Sequence, residues 1–431
     1  MGKELPPESR RRFIRQSIRR LARWGADVSE SAATAARSAL GPRLAGVRPD
    51  EPTPVVKRPV GPIWLNRAPE MAYSRLGRTD FMVSRVVLGG GSLRLDRLDL
   101  IREAVDRGIN SIDTALNYGE SELALARALP ELRDRIWIFS KMPPFRPIEA
   151  EGAAQRSPCA ESAFWEFLDS TLARLGTDHL DGYLLQAIDE PWRLTDEALL
   201  ASISRARQDG RIRHAGVSTH RNVKAVVEAA LQAEVFDFMM LPVNPWTLNR
   251  MQPLLEKLRE RDVGVLAMRV AAGLEFLPPQ RRPPLHELPE ALTARQLVQL
   301  YMLEFSSCPG FLIDVESRAQ LAEAIGVAAC QPSFIEMNEL QAVVEQELQP
   351  NCAVCGELRP PSLKSFERAA DRHFRRRLDA PYFEGQAGLG AGREASTGGS
   401  LFEAICERCE AARAPSCGED EPPPGSERLA P

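Results

Sequence analysis

The chain has 431 residues, 44% of them hydrophobic and 26% charged, with a formal net charge of -4 at pH 7 and a sequence pI near 5.9. That is enough apolar material for a large core plus extensions, and the mild acidity argues against general nucleic-acid binding, so no nucleic acid is expected as a partner. No stretch approaches the roughly 20 apolar residues of a membrane span, and the 8 cysteines lack the dense spacing of a small secreted scaffold, which makes the cytoplasm the default compartment.

Residues 1–70 read as a basic extension and a linker. Ser9 to Arg15, S-R-R-R-F-I-R, is close to a twin-arginine export signal, but Gln16, Arg19, Arg20 and Arg23 interrupt the apolar stretch that export requires. Phe13, Ile14, Ile18, Leu21 and Trp24 fall on one helical stripe with arginines around the rest. This basic amphipathic helix suits an anionic membrane surface or a protein partner, or a place on the rest of the chain; the alternative is a solvated tail. Pro49 to Pro62 is a proline-rich extended linker.

From Tyr73 the rhythm changes. Tyr73-Ser74-Arg75 and Met82-Val83-Ser84, separated by L-G-R-T-D-F, read as a hairpin. Strands are expected at Val86 to Gly90, Asn110 to Ala115, Ile136 to Lys141, Leu180 to Gln186, His214 to Ser218, Phe236 to Pro242, Val263 to Met268 and Phe311 to Val315. Amphipathic helices separate them, among them Glu161 to Leu175, Asp196 to Gln208, Val223 to Glu234, Leu248 to Glu260 and Ala294 to Phe305. Eight strands alternating with helices over about 260 residues predict an α/β fold, a (β/α)8 TIM barrel over residues 71–330, with any active site at the strands' carboxyl ends.

Chemistry gathers at two of these ends. In N-S-I-D-T-A-L-N-Y-G-E-S-E, Asn110 to Glu122, a short buried strand delivers Asp113, Tyr118 sits in the loop that follows, and a helical run from Glu120 to Leu129 begins after Gly119. I-W-I-F-S-K, Ile136 to Lys141, is a second apolar strand ending on a lone lysine. A carboxylate, a phenol and an amine on neighbouring strand ends make a tuned acid: the ammonium favours the phenolate and lowers the tyrosine pKa, while the carboxylate holds the lysine. The plainer reading is an ion-paired Asp and Lys beside a core Tyr.

These residues resemble the aldo-keto reductase family. Asp113, Tyr118 and Lys141 stand at three of the four positions of its catalytic tetrad. The likeness runs from about Tyr73 to Ala329 through L-G-R-T-D, V-V-L-G-G-G-S, R-L-G-T-D-H-L-D, D-G-R-I-R-H-A-G-V-S-T-H and G-V-L-A-M-R-V. It implies a barrel closed at the bottom by the hairpin, NADP or NAD as cofactor, a small-molecule carbonyl substrate, and reduction of an aldehyde or ketone to an alcohol. Tyr118 would protonate the carbonyl oxygen, Lys141 would lower the Tyr118 pKa and Asp113 would position Lys141. At the fourth position the chain departs, because the family's His at the end of strand four is Gln186 in D-G-Y-L-L-Q-A. An amide can still donate to a carbonyl oxygen, which weakens reduction without abolishing it. His220, in G-V-S-T-H, reads as a loop histidine bonded to backbone rather than a substitute.

The same resemblance assigns cofactor positions. Ser218 and Asn244 agree with the family's nicotinamide end, Arg269 suits a pyrophosphate by its charge, and Ser317, Arg318 and Gln320, with Glu323, keep the outline of an adenosine-phosphate clamp. Met240 replaces the usual carboxamide-holding Gln, Met268 stands where many members stack a Tyr, and Ala324 removes an adenine contact. Asp314 and Glu316 put negative charge beside the expected phosphate, which leaves NADP and NAD both open.

Residues 331–431 form a cysteine-containing extension. Cys352-A-V-Cys355, followed by Gly356, and Cys406-E-R-Cys409 are paired C-x-x-C motifs suited to tetrahedral zinc, although the gap between them is longer than the 15 to 20 residues of a compact zinc ribbon. An iron-sulfur cluster on four of the five thiols, Cys417 included, is the second metal reading, because related reductases carry a ferredoxin-like tail; the C-x-x-C-x-x-C-x-x-x-C-P run is absent. Free thiols are the third, as they are for Cys159, Cys308 and Cys330. The basic block Arg368 to Leu378 reads as a solvated helix, and composition from Gly385 onward predicts disorder around a short helix at Leu401 to Ala412.

Two functions follow. One is an NAD(P)H-dependent carbonyl reductase; the other is a catalytically weak or inactive nucleotide- or metal-binding regulatory protein on the same barrel, favoured by Gln186, Met240 and Glu316.

Overall fold

A computed structural model describes residues 61–144, 160–276, 292–330 and 334–348, together with 350, 352–357, 359–362, 364–366, 368 and 404–413. The export-like motif, the amphipathic helix and most of the linker lie outside the described residues, as do Cys159, Cys417 and most of the loops Pro143 to Pro158 and Gly273 to Pro289. Residues 59–431 cluster as one compact unit.

The expected hairpin forms from β1 (Tyr73–Arg75) and β2 (Met82–Ser84), with Tyr73 opposite Ser84 and Arg75 opposite Met82. Eight parallel strands follow: β3 (Val86–Gly89), β4 (Ser111–Asp113), β5 (Trp137–Met142), β6 (Leu180–Leu185), β7 (Ile212–Ser218), β8 (Phe238–Pro242), β9 (Gly264–Met268) and β10 (Gly310–Ile313). β10 pairs with both β9 and β3, Phe311 lying against Val86 and Ile313 against Leu88, so the sheet closes. This is a (β/α)8 TIM barrel.

Helices α1 (Leu98–Asp106), α2 (Ser121–Leu132), α3 (Ala160–Leu175), α4 (Glu197–Gln208), α5 (Val223–Ala233), α6 (Pro245–Glu260), α7 (Ala294–Phe305) and α8 (Arg318–Ala329) follow the barrel strands in turn. Helix α6 begins earlier than Leu248. Asn244 and Thr247 form a reciprocal capping box there, the Asn244 side chain accepting from Thr247 N at 3.2 Å and Thr247 Oγ1 accepting from Asn244 N at 3.3 Å. Pro245, read from sequence as loop, is pre-set for the first helical position, where its missing N–H costs nothing. Strand β8 starts at Phe238 rather than Phe236; just before it the Asp237 carboxylate accepts from Ala215 N at 3.2 Å and pairs with His214.

Inside the barrel, Leu76, Phe81, Val87, Trp137, Phe139, Phe238 and Met240 pack as one apolar cluster. Phe81 stacks on Trp137 at 4.6 Å and 11°, so the residue that follows the β1–β2 turn plugs the barrel floor. A second, larger cluster fills the space between strands and helices and extends into the carboxyl-terminal segment through Leu340, Val344, Leu348, Phe366 and Ala404. That segment contains α9 (Phe334–Ala342) and α10 (Glu407–Arg413) and is tied to the barrel helices: Trp246 Nε1 donates to Leu348 O at 3.1 Å, and Tyr301 Oη to Glu345 Oε1 at 2.7 Å. The expected helix at Leu401 to Ala412 therefore begins only at Glu407, and most of the basic block and the Gly-rich stretch lie outside the described residues. Among the described residues no helix is long and apolar enough to cross a membrane.

Asn110 fastens the floor to the start of β4. Its side chain accepts from Ser84 N at 2.8 Å and donates to Met82 O at 2.9 Å and Leu65 O at 3.0 Å. Asn110→Ala should cost about 2 to 3 kcal/mol in urea unfolding, because buried backbone groups lose their partners; an unchanged midpoint would contradict this role.

Candidate active site

The barrel brings Asp113, Tyr118 and Lys141 together. Asp113 ends β4 and Lys141 lies in the adjacent strand β5, so register alone puts both near the carboxyl rim, and both are buried. Lys141 Nζ sits 2.5 Å from Asp113 Oδ1, donates to Thr114 O at 2.9 Å and reaches Tyr118 Oη at 3.3 Å. The ammonium is thus ion-paired with a carboxylate and donates hydrogen bonds to a carbonyl and a phenol.

Burial raises Tyr118 above its ordinary value of 10.0; Lys141 pulls it down without winning, and the charges of Asp113 and Asp314 add to the rise. The ammonium acts on the phenol in the expected direction, but the same apolar surroundings that hold the pair penalise the phenolate more than the lysine rewards it, so the net shift is upward. For Lys141 itself burial works downward, yet Asp113 and Tyr118 outweigh it and the ammonium ends above its ordinary value. Burial pushes the Asp113 carboxyl up to about 6 against the pull of Lys141.

Glu122, which the sequence reading passed over, supports this group. It is fully buried in the first turn of α2, accepting from Ser140 Oγ at 2.9 Å and from Arg174 Nε at 3.0 Å. Arg174 also donates to Gly119 O at 2.7 Å, so one carboxylate links the residue before Lys141 to the residue after Tyr118. Gly90 permits the approach beneath them, since a Cβ there would lie 2.4 Å from Asp113 O. Glu122 closes the run Asp113 to Glu122 that carries the family resemblance, but by itself an acidic residue in a helix's first turn ordinarily marks a solvated cap.

Gln186 follows β6 and is buried; its backbone N donates to Met142 O at 3.1 Å, while its side-chain oxygen Oε1 has no hydrogen-bond partner among the described residues. Ser218, at the end of β7, accepts from Ala187 N at 3.1 Å and so steadies the turn just after Gln186. Asp314 is exposed, and a Cβ on Gly89 would lie 2.7 Å from its Oδ1. Its charge therefore falls over the barrel mouth rather than only beside the expected phosphate.

The remaining expected cofactor residues divide. Asn244 and Arg269 share a cavity of about 540 Å³ with His220, Lys224, Arg250 and Phe366, at the carboxyl side of β7, β8 and β9. None of Asp113, Tyr118 or Lys141 lines it. Ser317, Arg318 and Gln320 stand at the start of α8 and are already engaged: Ser317 Oγ accepts from Gln320 N at 3.3 Å, Gln320 Oε1 from Glu316 N at 2.7 Å, and Arg318 pairs with Glu103 at 2.9 Å. Met240 and Met268 belong to the barrel's inner apolar cluster. In the carboxyl-terminal segment, Cys352, Cys355, Cys406 and Cys409 come together despite their separation, all four sulfurs within 4.8 Å of one another. Cys308 is a different kind of thiol; lost hydration pushes it up to about 11, which keeps it protonated and inert.

A closed parallel barrel with a buried Asp–Lys pair and a tyrosine at its carboxyl rim defines the class as a (β/α)8 barrel with an Asp–Lys–Tyr cluster at its mouth. The chain belongs to the aldo/keto reductase family, whose family model matches residues 87–305. It is 28% identical over 222 residues to the uncharacterized oxidoreductase YrpG of Bacillus subtilis, covering 47% of this chain and 65% of that protein. The chain thus spans less than two thirds of that relative's length. Among solved structures, the holo form of aldo-keto reductase AKR11C1 from Bacillus halodurans aligns with a TM-score of 0.52 at 22% identity, covering 64% of this chain and 96% of that one. An aldo-keto reductase from Klebsiella pneumoniae in complex with NADPH aligns with a TM-score of 0.50 at 21% identity, covering 63% and 95% respectively. At these identities the structural likeness concerns the fold.

Burial pushes the Glu122 carboxyl up to about 7 from 4.5, with Ser140, Arg174 and Thr171 pulling the other way. Between those values the folded chain keeps a proton that the unfolded chain has released, so stability falls as pH rises through that window. In Glu122→Gln the fall in unfolding free energy between about pH 5 and about pH 8 should shrink by about 2 to 3 kcal/mol. An unaltered pH dependence in denaturant titrations would remove Glu122 from this account.

Proposed function

We propose that the protein is an NAD(P)H-dependent oxidoreductase that reduces a small aldehyde or ketone to an alcohol. The observation that carries the reading is the three-way contact of Lys141 Nζ with Asp113, Thr114 O and Tyr118 Oη. Tyr118 gives its proton to the carbonyl oxygen. Lys141 fixes the phenol and offsets the phenolate left behind, and Asp113 keeps the ammonium charged and in place. Gln186, with its carboxamide in the position of the family's histidine, donates a hydrogen bond to the carbonyl oxygen.

NADP or NAD, when bound, supplies the hydride. At the nicotinamide end the residues fit such a group: Gln186 offers a buried acceptor with no partner among the described residues, and Ser218 stands beside it through Ala187. Asn244 and Arg269 would continue the site along their shared cavity. Ser317, Arg318 and Gln320 would have to exchange their present partners to hold an adenosine phosphate, and exposed Glu316 opposes a phosphate there, so the choice between NADP and NAD stays open. That engagement, with Met240 and Gln186, is also what favours the second reading, a catalytically weak regulatory protein on this scaffold. The organisation follows the same proposal: a basic extension over residues 1–70 reaching a protein partner or membrane surface, the catalytic barrel over 71–330, and a metal-binding segment over 331–431, acting in the cytoplasm. The metal held by the four cysteines is zinc or an iron-sulfur cluster.

Fluorescence titration with NADPH and NADH, followed by turnover of a nitrobenzaldehyde, tests the enzyme. Tyr118→Phe should lower turnover by about 10²- to 10⁴-fold with cofactor affinity retained. Because burial keeps Tyr118 protonated past its ordinary value of 10.0, reduction should lose rate only above pH 10 as that proton is lost. Tight cofactor binding with no turnover that depends on Tyr118 would leave the regulatory reading standing.

A further inference from the structure

Among the described residues, the apolar side chains of the carboxyl-terminal segment, Leu340, Val344, Leu348, Phe366 and Ala404, join the barrel's core, and the part around the four thiols has little apolar material of its own. Around the four thiols the buried cluster is Cys352, Ile405, Cys406 and Cys409, a single aliphatic side chain among sulfurs. A piece this small is not held by burial alone, and small units of this kind are stapled by disulfides or metals. None of the four cysteines is in a disulfide, and Cys355 Sγ and Cys406 Sγ are 4.0 Å apart, about twice a sulfur–sulfur bond.

The arrangement around them is that of two knuckles facing one point. Gly356 takes a φ of +73°, which returns the chain after Cys355, and its N–H donates to Cys352 O at 2.9 Å. Val354 N and Cys406 N both point at Cys352 Sγ at 3.4 Å, donors that steady a thiolate. The second pair opens α10, and backbone bonds join the two halves: Ala353 N to Ala404 O at 2.7 Å and Ser362 N to Ile405 O at 2.8 Å. Four thiolates around one tetrahedral zinc lie about 3.8 Å apart, from a Zn–S length of about 2.3 Å. All four sulfurs here fall within 4.8 Å, a spacing that fits a single ion. An iron-sulfur cluster interposes its own iron and sulfide atoms and spreads its ligands wider.

We propose that Cys352, Cys355, Cys406 and Cys409 bind one structural zinc ion, and that this zinc latches the carboxyl-terminal segment onto helix α6 of the barrel. The inference rests on the reading of these thiols as a metal centre and is independent of whether the barrel reduces carbonyls. The latch point is Arg250, which donates to Pro361 O at 2.8 Å, on the first knuckle's side, and to Glu407, next to Cys406 in the second. Arg250 thus grips both halves, and an ion shared by the four thiols would add to the backbone bonds that hold those halves together. Arg250 and Phe366 line the cavity that also contains Asn244 and Arg269, so the zinc holds one wall of that cavity in place. As zinc enters, each ligating thiol gives up its proton to solvent and no redox step is involved.

The test uses the full-length protein. Elemental analysis should find about one zinc and negligible iron per chain, lost in Cys406→Ser and kept in Cys308→Ser. Because Cys406 is buried and its variant can misfold, Cys355→Ser, at the exposed thiol, carries the same test. Chelation should raise amide hydrogen exchange in residues 340–357, 404–413 and the first turns of α6, leave β7 unaffected, and be reversed by added zinc. Iron with visible absorbance, or disulfides in a metal-free protein, would overturn the zinc site. Zinc loss without increased exchange along α6 would overturn the latch.

Discussion

A lysine ammonium with 3% of its surface exposed cannot remain charged without a partner at contact distance, and the 2.5 Å pair with Asp113 is what permits it. Everything proposed for the barrel depends on that pair. Removing two charges from water costs several kcal/mol each, and the return comes only when their remaining protons and lone pairs are used. Lys141 meets that condition through Thr114 O and Tyr118 Oη. The stabilising geometry and the chemical geometry are therefore the same contacts, and a phenol that completes an ammonium's hydrogen bonding is also a phenol held in one place.

The scaffold delivers this pair through strand register rather than through loops. Asp113 and Lys141 belong to adjacent parallel strands whose backbones are fixed by the ladder, and only Tyr118 depends on a loop. That loop is pinned from behind by Arg174 on Gly119 O, with Glu122 joining Arg174 to Ser140. Two buried carboxylates, Asp113 and Glu122, thus hold the two halves of one group, each compensated by a different cation. The carboxyl-terminal segment packs against α6, where Arg250 and Trp246 receive it, and its Phe366 lines the cavity on that side of the barrel, across from β4 and β5.

Much of this was legible in the chain. The βα alternation gave all eight strands because buried parallel strands are short apolar runs, and their carboxyl ends picked out Asp113 and Lys141 directly. What sequence could not supply was the balance of opposing effects. A lysine beside a tyrosine reads as a lowered pKa, yet the sign depends on how much water burial removes, a property of the packed barrel. Pro245 reads as loop until the Asn244–Thr247 box makes it a first helical residue. Glu122 looks like an ordinary capping acid until α2 turns it inward. The long gap between Cys355 and Cys406 argued against a shared site, and only the return of the chain at Ala404 and Ile405 joins the two pairs.

The most direct test of the central claim is a double-mutant cycle on stability with Asp113→Asn, Lys141→Met and the double variant, read by denaturant unfolding. If the two charges sustain one another out of water, each single substitution should cost about 3 to 5 kcal/mol by stranding its partner, while the double variant loses far less than the sum. Additive losses would mean that Asp113 and Lys141 occupy separate environments, and the proton-handling group built on their contact would fail with them.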